Sequence, residues 1–248
     1  MKFAVPTYQR SDRVRTIPYL HDKCGVPYSD IVVCVQDKED EKRYREKFPE
    51  CQFSYRPGQN AAMNRNNALN FLRTHYPGED FIIFDDDIEY ILILRKEGNR
   101  KTAIYEPLLG EEFLQVMQKF FDYSRTKRVK VWGMGALDNP FFMRIKIAEN
   151  SLMTGQLVAF VNGGGNILMD ETFYMKEDYE MLLRMWQSGE KTLKFCMIAP
   201  RTNNRAPGGC TESRKKYTEK EFADRLLTQY PELICRNSKK PGEIKSLI

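Results

Sequence analysis

Asp80-Phe81-Ile82-Ile83-Phe84-Asp85-Asp86-Asp87 runs an apolar segment without a break into three consecutive acids. A short apolar run with no polar alternation reads as a strand buried on both faces of a sheet. Three adjacent carboxylates repel one another strongly unless something neutralises them. In an α/β sheet, ligands gather beyond the carboxyl ends of the strands. A hard divalent cation bridging carboxylates and phosphate oxygens would answer both facts. Alternation along extended chain puts Asp85 and Asp87 on one side, facing one ligand, and sends Asp86 elsewhere. The same acids would also serve as a solvated turn capping a following helix.

Working outward toward the N-terminus, strand and helix signals alternate, as in a sheet with helices on both faces. Lys2 to Pro6 is a short apolar strand, and Asp30 to Val35 is a β-branched run of the buried type. Asp37 to Phe48 is polar and helix-prone. Gln52 to Tyr55 is a further strand, closed by the turn Arg56-Pro57-Gly58. Ala61 to His75 reads as a helix, stopped at Pro77-Gly78.

Toward the C-terminus the pattern is less regular. Glu111 to Tyr123 carries Phe113, Val116, Met117, Phe120 and Phe121 at helical spacing. Val129 to Met134 and Leu157 to Val161 read as strands. Tyr179, Leu182, Leu183 and Trp186 make the apolar stripe of a helix ending at Gly189. Thr218 with Glu221 forms a capping box for a last helix. Lys176-Glu177-Asp178 opens the Tyr179 helix, where acids commonly complement the helix dipole. Beside a metal site, one of them would also be placed to deprotonate an acceptor hydroxyl. Gly163-Gly164-Gly165 fits neither a Walker loop nor a dinucleotide fingerprint. It serves either a close approach of backbone to a ligand or a tight turn. No linker divides the chain, so 1–248 reads as one domain, with a donor-binding half over about 1–100 and an acceptor-binding half and C-terminal tail over about 101–248.

With 248 residues, 42% hydrophobic and 29% charged, the chain can bury a substantial core. It has no run of about 18 apolar residues, which argues against a membrane span, and its start resembles a strand rather than a leader. A cytoplasmic location is expected. The six cysteines lack any C-x-x-C spacing, so zinc ribbons and thioredoxin-like motifs are excluded and free thiols expected. A net charge of +5 is mildly basic. The runs 125–130 (Arg-Thr-Lys-Arg-Val-Lys) and 214–216 (Arg-Lys-Lys) concentrate it, either as phosphate contacts or as solvated surface.

Taken in order, the first-strand ending Pro6-Thr7-Tyr8-Gln9-Arg10, the D-x-D at Asp85 to Asp87, the glycines at 163–165 and the Glu177-Asp178 pair resemble the GT-A family of nucleotide-sugar glycosyltransferases. The resemblance covers most of residues 1 to about 200. It implies a Rossmann-like, mostly parallel α/β sheet and a UDP-sugar donor held by Pro6, Thr7, Tyr8, Arg10, Asp85, Asp86, Gly164 and Gly165. It further implies Mn²⁺ or Mg²⁺ on Asp85 and Asp87, Asp178 as general base of an inverting displacement, and Glu177 bonding the acceptor or nearby backbone. Many members add a C-terminal histidine to the metal. None follows His75 here, so Asn203, Asn204 or water would take its place. The compact length and the Pro-Thr-Tyr-Gln-Arg start resemble, more narrowly, the phage glycosyltransferases associated with TET/JBP oxygenases. That implies transfer of a sugar, glucose by default, to hydroxymethylated pyrimidines in DNA. The basic runs would then lie on phosphates, and Phe141, Phe142 or Tyr217 on an extruded base. A glycan or protein acceptor, a nucleotidyltransferase and a basic nucleic-acid-binding module are the competing readings.

Overall fold

The computed structural model describes residues 1–58, 60–99, 101–135, 137–202, 216–238, 240 and 243–247. Its centre is an eight-stranded sheet ordered β3-β2-β1-β4-β9-β7-β10-β8. These are β1 (Lys2–Pro6), β2 (Ile31–Val35), β3 (Gln52–Tyr55), β4 (Phe81–Phe84), β7 (Val131–Met134), β8 (Ile147–Glu149), β9 (Leu157–Phe160) and β10 (Thr192–Phe195). The pairings β3-β2, β2-β1, β1-β4 and β7-β10 are parallel, whereas β9 is antiparallel to both β4 and β7, and β8 to β10. Six strands therefore point one way, and only β9 and β8 run against them. A second sheet, β11-β5-β6, joins β5 (Ile88–Lys96), β6 (Ile104–Pro107) and β11 (Ile198–Thr202). The hairpin of β12 (Ile234–Arg236) and β13 (Ile244–Ser246) completes the strands described.

All four residues of β4 are fully buried, as the unbroken apolar run requires. Burial of such a side chain stabilises by roughly 1.5–3 kcal/mol. The pleat sends alternate residues to opposite faces. Phe3, Val5, Ile82 and Phe84 pack with Tyr44 and Phe48 at the end of α2 (Lys38–Lys47), and with Phe113, Met117 and Phe121 of α4 (Gly110–Thr126). Ala4, Phe81 and Ile83 pack on the other face with Leu69 and Leu72 of α3 (Ala61–His75), Leu182 and Leu183 of α5 (Glu177–Gln187), and Phe222 and Leu226 of α6 (Glu219–Gln229). The predicted capping box of α6 forms, with the Thr218 hydroxyl accepting from the Glu221 N–H. The fold is thus the expected α/β class. Among the described residues, no helix is long and apolar enough to cross a membrane.

Candidate active site

The carboxyl ends of β1, β2, β3 and β4 share one rim of the sheet, and the reversed β9 brings its amino end to the same rim. There the chain leaves β4 through Asp85, Asp86 and Asp87 and turns directly into β5. A short helix, α1 (Thr16–Pro18), running into a π-helical turn at Tyr19–Lys23, fastens this turn. The buried Thr16 hydroxyl donates to the Asp85 carbonyl and accepts from the Ile88 N–H at 3.0 Å, while the Arg15 N–H donates to the Asp86 carbonyl at 2.9 Å. Opposite, the Asp85 N–H donates to the Gln156 carbonyl at 3.0 Å.

Each acid meets a different partner. Asp86, 5% exposed, accepts from the Thr7 hydroxyl and from Arg10, both at 2.6 Å. It faces inward and ties the loop after β1 to the acid turn. Asp86 and Thr7 were expected on the nucleotide; instead their polar atoms are consumed internally, since Thr7 Oγ1 also bonds the Tyr44 hydroxyl at 2.7 Å. Asp87 lies 3.4 Å from Arg10, and its Oδ1 is buried without a hydrogen-bond partner. Burial first, then the Asp85 and Asp86 charges, push the Asp87 carboxyl up to about 6 against the pull of Arg10. Asp85 takes a 2.6 Å ion pair from Arg65 on α3.

Arg65 was not anticipated. Its guanidinium, 8% exposed, also donates to the Gly155 carbonyl at 2.5 Å and stands 3.4 Å from Glu177. Gly155 precedes β9, and its N–H donates to Asp178 Oδ2 at 2.7 Å; Asp178 Oδ1 accepts from the Tyr179 N–H at 2.8 Å. Sequence-distant acids at 85 and 177–178 are thereby joined through one buried cation. Burial pushes the Glu177 carboxyl up to about 7, the Asp178 charge adding to it and Arg65 opposing it. The Asp178 carboxyl is likewise raised by burial. Lys176, just before α5, has a left-handed backbone with φ 61°, a strained geometry for a non-glycine residue.

Beside this cluster, Tyr8 is half-buried and makes no hydrogen bond or ring contact among the described residues, so its ring is available to a ligand. Two further buried oxygens near the loop have no partner. They are Asp40 Oδ1, whose other oxygen accepts from the Gln9 N–H at 2.7 Å, and Asn64 Oδ1, whose amide donates to the Thr7 carbonyl at 3.0 Å. Orphaned buried acceptors of this kind call for donors from outside the chain.

As for a metal, no group of three or more His, Cys, Asp and Glu side chains is arranged to hold one among the described residues. Asp87 Oδ1 is buried without a partner and the Asp85 side chain is 35% exposed, and carboxylate oxygens are what a hard cation would take together with phosphate oxygens.

Several expected residues lie elsewhere. Gly163–Gly165 follow the carboxyl end of the reversed β9, so they sit at the opposite rim: the Asn162 N–H bonds Asp80, at the start of β4. Gly164 is required there by packing and conformation, with φ +65° and the Phe160 ring 2.6 Å from any added Cβ. Gly164 and Gly165 are therefore turn residues rather than part of this site. The basic run 125–130 also sits on that far rim, before β7. Arg125 is paired with Asp80 and Asp122, and Lys130 with Glu190 at 2.5 Å. Asn203, Asn204, Arg214 and Lys215 lie outside the described residues.

The chain is similar in fold to S. aureus TarS. TarS 1-349 in complex with UDP-GlcNAc matches with a TM-score of 0.57 at 15% identity, over 92% of this chain and 65% of that one. A further structure of TarS 1-349 matches with a TM-score of 0.52 at 14% identity, over 92% and 66%. The chain thus spans about two-thirds of the TarS fragments it resembles. No protein-family model matches the sequence, and no curated protein matches it. At these identities the likeness defines the class of fold, a GT-A-type α/β sheet, and nothing narrower.

Proposed function

We propose that this protein is a nucleotide-sugar glycosyltransferase that takes a UDP-sugar and transfers the sugar with inversion. One observation carries the reading: at the carboxyl end of β4, an acid turn with an unpartnered buried oxygen converges on a Glu-Asp pair whose aspartate is oriented by two peptide N–H groups. Similarity in fold to a protein seen with UDP-GlcNAc supports it. Asp178, made more basic by burial, accepts the proton of an acceptor hydroxyl while that oxygen bonds to the anomeric carbon. The bond from that carbon to the diphosphate oxygen breaks, and its electron pair leaves with UDP. Asp85 and Asp87 would hold a divalent cation, which neutralises charge developing on the diphosphate. Tyr8, Asp40 and Asn64 line the nucleotide's side of the site.

For the acceptor, the finer reading is the hydroxymethyl group of a DNA pyrimidine. Its support is the pair Phe141 and Phe142 in the loop after β7, 62% and 61% exposed, whose faces suit an extruded base. The basic run at 125–130 lends it none, being on the far rim. A glycan or protein acceptor would use the same chemistry.

The test is incubation with UDP-glucose or UDP-GlcNAc, Mn²⁺ and duplex DNA containing 5-hydroxymethylcytosine, followed by nucleoside mass spectrometry and UDP quantitation. A sugar-sized mass gain abolished by chelator is expected, with D178N slower by about 1,000-fold. UDP release without DNA modification would move the acceptor to a glycan or protein. Failure to bind or cleave either donor would refute the transferase reading.

A further inference from the structure

We propose that Arg65 is the positioning residue that sets donor-side Asp85 and acceptor-side Asp178 at their working separation, acting through the main chain of Gly155. This role builds on the transferase chemistry proposed above, but its geometry stands apart from any turnover.

One guanidinium meets oxygens from three elements: Asp85 after β4 at 2.6 Å, the Gly155 carbonyl before β9 at 2.5 Å, and Glu177 at the start of α5 at 3.4 Å. The planar fork of arginine suits several acceptors at fixed angles, whereas a lysine supplies one compact charge. The two peptide groups that meet at Gly155 carry the position onward, its carbonyl held by Arg65 and its N–H holding Asp178 Oδ2 at 2.7 Å. A Cβ at position 155 would lie 2.7 Å from the Arg65 guanidinium, so a side chain there displaces the end of the arginine. Neither Arg65 nor Gly155 need touch the donor or the acceptor. Displacing the guanidinium moves Asp85 and Asp178 relative to one another, and misplacement of about 1 Å costs about 100-fold in rate.

Two variants dislocate the link by different means: R65K keeps the charge and loses the fork, and G155A keeps the arginine and crowds it. The measurements are UDP affinity by calorimetry and the rate of UDP release from UDP-GlcNAc and UDP-glucose. Both variants are expected to lose about 100-fold in maximal rate and clearly less in UDP affinity. Equal losses of affinity and rate, or an unchanged rate in either folded variant, would overturn the proposal.

A double-mutant cycle on thermal unfolding reads the link without turnover. D85N and E177Q are combined in the wild-type background and again with R65M. Non-additivity of about 2–4 °C is expected with Arg65 present, and without it a different residual from the direct repulsion of Asp85 and Glu177. Additivity in both backgrounds overturns the proposal even in a protein that turns over normally. Non-additivity in a protein that neither binds UDP nor cleaves a donor leaves the link standing and removes the transferase reading alone. Should R65M fail to fold, the cycle is run with R65K.

Discussion

Asp85, Asp86 and Asp87 meet their compensating charge on two arginines from separate elements, Arg10 and Arg65, whereas Glu177 and Asp178 share Arg65, with the Lys176 charge and two peptide N–H groups also acting on Asp178. Five carboxylates thus face two guanidiniums. The shortfall is not spread evenly. Asp86, which accepts two bonds of 2.6 Å, is the anchor of its cluster although burial raises its carboxyl too, and burial with neighbouring carboxylates pushes Asp87 up to about 6 and Glu177 up to about 7. A buried acid held above its ordinary range is one that gains from a proton or a cation, so these positions are where a ligand's positive charge or an acceptor's proton has somewhere to go.

Neighbouring acids in one turn should therefore fail in opposite ways. D86N removes one partner of a buried ion pair and should cost roughly 3 kcal/mol, lowering the melting temperature by about 10 °C. D87N should melt near wild type yet lose about 100-fold in Mn²⁺-dependent UDP affinity, with the remainder insensitive to EDTA, by calorimetry with and without chelator. If D87N melts early and D86N binds UDP poorly, the division between anchor and ligand is reversed.

The smallest effect concerns the second cluster and is read through pH. Glu177 has a folded value of about 7 against an ordinary 4.5. The unfolded chain therefore releases its proton first, and stability is lost as pH rises from about 4.5 to about 7. E177Q has no such proton to lose. Its melting temperature relative to wild type should be more favourable at pH 8 than at pH 5, by a few degrees. A difference that is flat with pH would show that Arg65 holds Glu177 ionised throughout.

The two halves of the chain also differ in how legible they are. Every strand from β1 to β4 and both α2 and α3 can be read from sequence, because a parallel sheet buried on both faces leaves unbroken apolar runs with Pro and Gly between them. β5 is missed when punctuation alone is followed, since Ile88 continues straight from Asp87 with no turn residue between. β8 and β10 are only three and four residues long. Asp85, Asp87 and Asp178 are legible as acids after a strand or at a helix start. The glycine run misleads because left-handed turns and ligand-facing loops demand the same residue, and only the direction of β9 tells which rim it occupies. Arg65 escapes altogether: within Asn64-Arg65-Asn66-Asn67 it looks like one more polar position on an exposed helix, yet all four are buried.

The reversed course of β9 has a consequence for mutagenesis. Just before β9 enters the rim, Gly155 has only main chain to present, and both its carbonyl and its N–H are engaged. No substitution can delete a peptide bond. A saturation scan would therefore score position 155 as intolerant in nearly every column. It would register the shape of an absent side chain, with the N–H removed in the proline column alone and the carbonyl in none.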